Sequence, residues 1–340
     1  MKIFRQAAAL LLTAALLVLP ARAADAAFRD VPERHWAYES VQKAAQYGLV
    51  GGVGGGKFGL GQSVTRAQYA KMLCSLMGWS LSAPETGSFA DNQDKTTWYF
   101  AVVETAYERG VLLKLGENCG PNEPLPREEL AAMTMRALDY APLAGVVQDE
   151  CPFTDVTTNR GYIALAYRMG VLGGVGGDLF APRASATREQ AAAVLVRVYD
   201  RLHDTQRAVL HSGETAPEDA VWAESGANSA ASIPMYPRAP LESVYDAAVK
   251  AGAGGAVALH TAPVLVTTHG GMASQPREIT DAELQRYLDS AGTKTYRSAR
   301  YESSYLTNGS TVIWYESGED IAEKVQLCRM LGVGSVYLAK

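Results

Sequence analysis

The sequence predicts a multidomain protein, an all-α unit made of three repeats followed by a small α/β C-terminal domain. Three observations carry that expectation. A Phe-x-Asp signature occurs at Phe28–Asp30, Phe89–Asp91 and Phe153–Asp155. An arginine stands at 66, 127 and 188, a constant spacing of 61 residues. Beyond about Leu202 the helical periodicity gives way to alternating strand and helix patterns, the mark of an α/β arrangement.

The first stretch addresses location rather than fold. Lys2 and Arg5 precede an apolar run, Ala7 to Leu19, and small residues follow at Ala21 and Ala23. That layout is a signal peptide over 1–23, and the run is short for a bilayer span of about 20 residues. The expected mature chain is exported and soluble, with no membrane partner once the signal is removed. A length of 340 residues suits two or three domains. A hydrophobic content of 48% is ample for packed cores. The net charge of −5 argues against a nucleic-acid partner. Four cysteines, Cys74, Cys119, Cys151 and Cys328, show no CxxC pair, so neither a metal site nor a cofactor is expected. Cys74 and Cys328 read as core residues, whereas Cys119 and Cys151 lie near turns where a disulfide is an open option.

Each repeat reads as helix, loop, helix. The first helix of each ends at a glycine, Gly48, Gly110 or Gly170, suited to a left-handed cap. In the first repeat Gly51 to Gly56 forms a turn, and a second helix opens at Thr65 with Gln68 at capping-box spacing. The third repeats this with Gly173 to Gly177, Thr187 and Gln190. The middle repeat has diverged, with Pro126 at the helix start and few glycines in its loop. The boundaries are 28–80, 89–140 and 153–202. Residues 203–238, rich in Ala, Ser, Glu, Thr and Pro, read as a linker, and 239–340 as the α/β domain.

Phe28-Arg29-Asp30-Val31-Pro32, His35-Trp36-Ala37 and Val64-Thr65-Arg66-Ala67-Gln68 stand in the order typical of the S-layer homology (SLH) family. The chain resembles that family over about 28–202, strongly in repeats one and three and moderately in repeat two. The resemblance implies three repeats closed into a pseudo-threefold helical unit that binds secondary cell-wall polysaccharide, often pyruvylated, in grooves between repeats. Val312 to Glu316 and Leu331 to Val336 are similar to the closing segment of glycoside hydrolase family 18 barrels. The acidic catalytic strand of those enzymes has no counterpart in this chain, which implies a remnant without a catalytic centre.

Each repeated arginine sits in a first helical turn, where a cation opposes the helix dipole. Two explanations stand side by side. One is an ion pair with Asp30, Asp91 or Asp155 of a neighbouring repeat. The other is an anion site made of guanidinium and free backbone N–H groups. With the resemblance, the candidate glycan contacts are Arg66 and Arg188 first, Arg127 next, then Asp30, Asp91, Asp155, Trp36 and Trp98. The aromatic residues read as either core or sugar platform. The glycine run lacks the Gly-Lys-Ser/Thr of a phosphate loop. Glu278, Asp281, Glu283, Glu302, Glu316, Glu319 and Asp320 form no hydrolase motif, and His260 with His269 is a weak metal pair. The expected function is non-covalent anchoring to a bacterial cell wall with display of a non-catalytic domain whose own partner is unknown. The alternatives are a wall-anchored glycan-processing enzyme and an S-layer subunit.

Overall fold

The computed structural model describes residues 28–223, 239–269, 272–298 and 301–339. The signal-peptide expectation therefore lies outside the described residues. No helix among them is long and apolar enough to cross a membrane.

Residues 28–202 are built on helices α1 (Tyr38–Gln46), α2 (Arg66–Met77), α3 (Phe100–Glu108), α4 (Arg127–Ala137), α5 (Ala141–Val146), α6 (Arg160–Arg168) and α7 (Arg188–Leu202), with a 3-10 turn at Val147–Glu150. Gly48, Gly110 and Gly170 follow α1, α3 and α6 at φ of 72°, 69° and 62°, where a side chain would be strained. Thr65 and Thr187 cap α2 and α7 through complete capping boxes with Gln68 and Gln190. Pro126 supplies no side-chain cap to α4, whose first turn carries Glu128 and Glu129 instead.

The residues just before α2, α4 and α7 meet in a closed ring. The Val64 N–H donates to the Ala186 carbonyl, Ala186 to Leu125, and Leu125 back to Val64, at 2.8–2.9 Å. A second ring surrounds it: Arg66 donates to Glu123, Arg127 to Ala184, and Arg188 to Gln62. Backbone groups at a buried junction need partners, and each segment finds its own on both neighbours. Val64, Leu125 and Ala186 are accordingly buried.

The remainder carries two sheets. β1 (Val209–Ser212), β2 (Val221–Ala223), β3 (Ala256–His260) and β10 (Ser335–Ala339) form a parallel sheet in the order β1-β10-β3-β2. Helices α8 (Leu241–Ala251) and α10 (Gly318–Leu331) accompany it. The second sheet is antiparallel: β4 (Val264–His269), β5 (Met272–Ala273), β6 (Arg277–Glu278), β7 (Lys294–Ser298), β8 (Ser303–Asn308) and β9 (Thr311–Tyr315), with α9 (Asp281–Leu288) beside them in sequence.

Two expectations need correction. The stretch 203–238 is not simply a linker, because β1 and β2 lie in it and form both edges of the parallel sheet. Edge strands of three and four residues, with Val209 and Leu210 exposed, leave no alternation to read. Residues 224–238 fall outside the described set. The α/β half is also not held out on a tether. One buried apolar cluster runs from Val31 through Leu195 to Val336. Arg201 Nη1 donates to the Met330 carbonyl at 2.6 Å, and Tyr245 Oη to Glu150 at 2.7 Å. The two halves are docked.

Candidate functional site: the inter-repeat grooves

The three aspartates come first, because they shape the loops that the arginines meet. Asp30 accepts from the backbone N–H groups of Phe58, Gly59 and Leu60 at 2.7–3.1 Å. Asp91 accepts from Cys119 and Gly120, and Asp155 from Phe180 and Ala181, at 2.7–2.9 Å. Burial works against the charged form of Asp30 and Asp91, but the backbone donors outweigh it and hold both carboxyls below the usual range. The Phe180 N–H leads the same effect on Asp155. The aspartates are loop anchors: their oxygens accept from the protein's own backbone, and among the described residues none stands at salt-bridge distance from the repeated arginines, which corrects the ion-pair reading.

Each arginine then crosses to the next repeat. Arg188 Nε donates to the Phe58 carbonyl at 2.9 Å and Nη2 to the Gly51 carbonyl at 2.8 Å, with the guanidinium 5.0 Å from the centre of the Phe58 ring. Arg127 repeats this on Phe180 and Gly173, at 3.0 and 2.8 Å, and lies 4.7 Å from the Phe180 ring. Both are buried, and burial lowers their pKa. No carboxylate pairs with either guanidinium within salt-bridge distance among the described residues. Their positive charge is met by carbonyls and rings, while Asp155 acts on Arg127, and Asp30 and Glu189 act on Arg188, only from beyond ion-pair distance.

Arg66 differs. Its Nε and Nη2 grip Glu129 bidentately at 2.7 and 2.8 Å, and Nη1 reaches the Cys119 and Gly120 carbonyls and Glu123. The Glu129 hydrogen bond raises its pKa, the reverse of the other two. Every difference traces to the middle repeat. At 60- to 62-residue spacing, Cys119 stands where the others have Phe58 and Phe180, Leu113 where they have Gly51 and Gly173, and Glu129 where they have Gln68 and Gln190.

Arg188 opens on a groove of ≈ 600 Å³ shared by residues 48–53, the Gln68, Lys71 and Ser75 face of α2, and Trp98. Trp98 is 51% exposed and Trp36 60% exposed, so neither is core. Lys71 Nζ lies 5.5 Å from the centre of the Trp98 indole. Arg66 opens on a groove of ≈ 380 Å³ lined by Glu123, Glu128, Glu129, Arg136 and Asn159. Thr158 and Asn159 stand at the entry to α6, where the other repeats carry tryptophan just before α1 and α3. The glycine run is explained by turn geometry. Val53 and Lys57 close a tight hairpin, and a Cβ on Gly52 would sit 2.6 Å from the Lys57 carbonyl oxygen.

The S-layer homology domain family matches residues 27–70 and 152–192. The chain carries S-layer homology domains. The two SLH matches cover the repeats that supply Arg66 and Arg188 and the loops carrying Phe58 and Phe180. Among similar proteins, an S-layer protein of Bacillus anthracis is 27% identical over 210 residues, 60% of this chain and 25% of that protein. An amylopullulanase of Thermoanaerobacterium thermosulfurigenes is 28% identical over 184 residues, 52% of this chain and 10% of its own length. A cellulosome-anchoring protein of Acetivibrio thermocellus is 29% identical over 136 residues, 39% of this chain and 30% of that protein. The alignments span at most 30% of these relatives' lengths.

Elsewhere, Cys119 and Cys151 are free thiols, so the optional disulfide is not formed. No cluster of three metal-ligating side chains occurs among the described residues. Of the tail carboxylates, Glu316 and Asp281 line a cleft of ≈ 780 Å³ with Trp222. Glu316 is itself held by buried Lys324 and by Ser303.

Proposed function

We propose that the helical half anchors the exported chain to bacterial cell-wall polysaccharide through the Arg188 groove, with Arg127 heading a second site of the same kind. The carrying observation is the buried Arg188 guanidinium, with no directly paired carboxylate among the described residues, beside Lys71 and exposed Trp98. A cation next to an aromatic face suits a sugar bearing a carboxylate, such as a pyruvate ketal. Arg66 is demoted from the leading pair, because Glu129 already occupies it. On this reading the middle repeat contributes Arg127 and the closure of the ring, but a poor groove. The names of the S-layer and cellulosome-anchoring relatives agree with this role.

The α/β half is read as non-catalytic, since both oxygens of Glu316 in its cleft are engaged by Ser303 and Lys324. Sedimentation of the full chain with purified wall polysaccharide, before and after chemical removal of ketal pyruvate, tests the anchor. Binding that survives removal unchanged overturns the anion reading. Release of reducing ends from peptidoglycan by the full chain overturns the non-catalytic one.

A further inference from the structure

The second helices of the three repeats end differently, and the difference lies where the two halves meet. Counted from the repeated arginine, α2 and α4 run 12 and 11 residues, whereas α7 runs 15. Asp200, Arg201 and Leu202 therefore lie beyond the point where α2 stops. α2 closes on Gly78 in the left-handed conformation, at φ 64°, and α4 is followed by Asp139 at φ 63°. α7 runs into His203 at φ −102°, and no residue from 203 to 207 takes a positive φ. A helix extended without a stop signal frays unless a group outside it takes its last carbonyls.

The α/β half takes them. Local backbone N–H groups serve the Tyr199 and Arg201 carbonyls of α7 and the Cys328 and Arg329 carbonyls of α10. Arg329 Nη1, from the last turn of α10, donates to the Leu202 carbonyl at 3.2 Å. Arg201 Nη1, from the last turn of α7, donates to the Met330 carbonyl at 2.6 Å. Each helix lends an arginine to the other's C-terminal end, where the dipole favours a cation. Arg329 Nε also reaches the Arg207 carbonyl at 3.3 Å, on the segment leading into β1.

On its other side the same turn meets the first repeat. Asp200 accepts from Tyr47 Oη at 2.9 Å and from Lys43 Nζ at 3.2 Å, and the Tyr47 and Tyr199 rings stack at 4.1 Å. Lys43 lies on α1 and Tyr47 just after it, so these contacts belong to the α1–α7 seam that joins the third repeat to the first. The other two seams lie between α2 and α3 and between α4 and α6. The Lys43–Asp200 pair is solvent-exposed and contributes little by itself. Its geometry depends on the turn beneath it staying helical. We propose that the α/β half is a brace for the helical ring: the docked α10 holds the added turn of α7, and through that turn the seam that closes the ring. The helical half is then completed by the tail rather than being a self-contained module. This is independent of the anchoring reading, since it concerns only how the ring is held shut.

Hydrogen exchange of the full chain tests this at 199–203, at 38–47 and, for comparison, at 100–108 on another seam. Arg329→Ala should raise the opening of 199–203 about tenfold, the worth of a hydrogen bond from a charged donor. Opening of 38–47 should rise with it, while 100–108 keeps the wild-type rate. Arg201→Ala should open the same two segments, and decides the matter if the first variant does not fold. Because each cap holds the other in place, the double variant should fall short of the product of the two single effects. Opening of 199–203 that leaves 38–47 unchanged overturns the proposal. So does equal acceleration of all three segments, or a double variant whose effect is the full product.

Discussion

The grooves headed by Arg188 and Arg66 share one construction and differ in what their guanidinium faces. In both, the arginine leaves the first turn of a helix and reaches a loop of the next repeat held by an aspartate. Arg188 finds two carbonyls, the Gln68 amide oxygen and a phenylalanine ring, with no directly paired carboxylate among the described residues. Arg66 finds a glutamate at bidentate distance. Repetition of a motif therefore preserves a scaffold without preserving the electrostatics of each copy. The deciding residues, Gln68 against Glu129 and Phe58 against Cys119, belong to the receiving repeat and not to the arginine's own.

That comparison can be broken most directly at Arg188. Arg188→Ala should weaken binding to pyruvylated wall polysaccharide by about tenfold to a hundredfold, the worth of a charge-assisted contact. Calorimetric titration reads this, with melting temperature measured alongside because the Gly51 and Phe58 carbonyls lose their donor. Next in size is the loop anchor. Asp30→Asn should destabilise the fold by about 1 kcal/mol at neutral pH through weakened backbone contacts. Asp30 is depressed below 3.8 when folded, so its contribution is present above that value and lost as pH falls through the lower folded one. The melting curves of wild type and of the Asp30→Asn variant should therefore converge as pH falls below 3.8. Glu129→Gln, which copies Gln68, should raise affinity for the anionic glycan a few-fold by freeing Arg66. The smallest effect is expected from Arg66→Ala, within about twofold on binding although melting temperature falls. Equal losses from Arg66→Ala and Arg188→Ala would erase the distinction between the grooves.

Much of the helical half was legible from spacing. The capping boxes at Thr65 and Thr187, the left-handed glycines and the constant arginine interval all stand where local chemistry puts them. The partners of the arginines were not legible, because Glu129 lies 63 residues from Arg66 and meets it only after the ring has closed. A close alignment of the three repeats held the signal: an acid at 129 where the others have glutamine. The tryptophans stay ambiguous in sequence because aromatic residues beside a helix start usually bury, whereas Trp36 and Trp98 precede theirs and are exposed. In the tail, α8, β9 and α10 carry clear apolar periodicity in their own sequences. Strands β1, β2 and β7 are short or polar and take their conformation from the sheet they join.

The ring joining Val64, Ala186 and Leu125 makes every groove joint property. A repeat lends its arginine to one neighbour and receives one from the other, so no repeat owns a site. The middle repeat's substitutions alter the groove it hosts, while the arginine it donates still meets Phe180 and Gly173 as Arg188 meets Phe58 and Gly51. Divergence in one repeat is thus felt by the arginine its neighbour lends to it, and losing a repeat outright would cost two grooves rather than one.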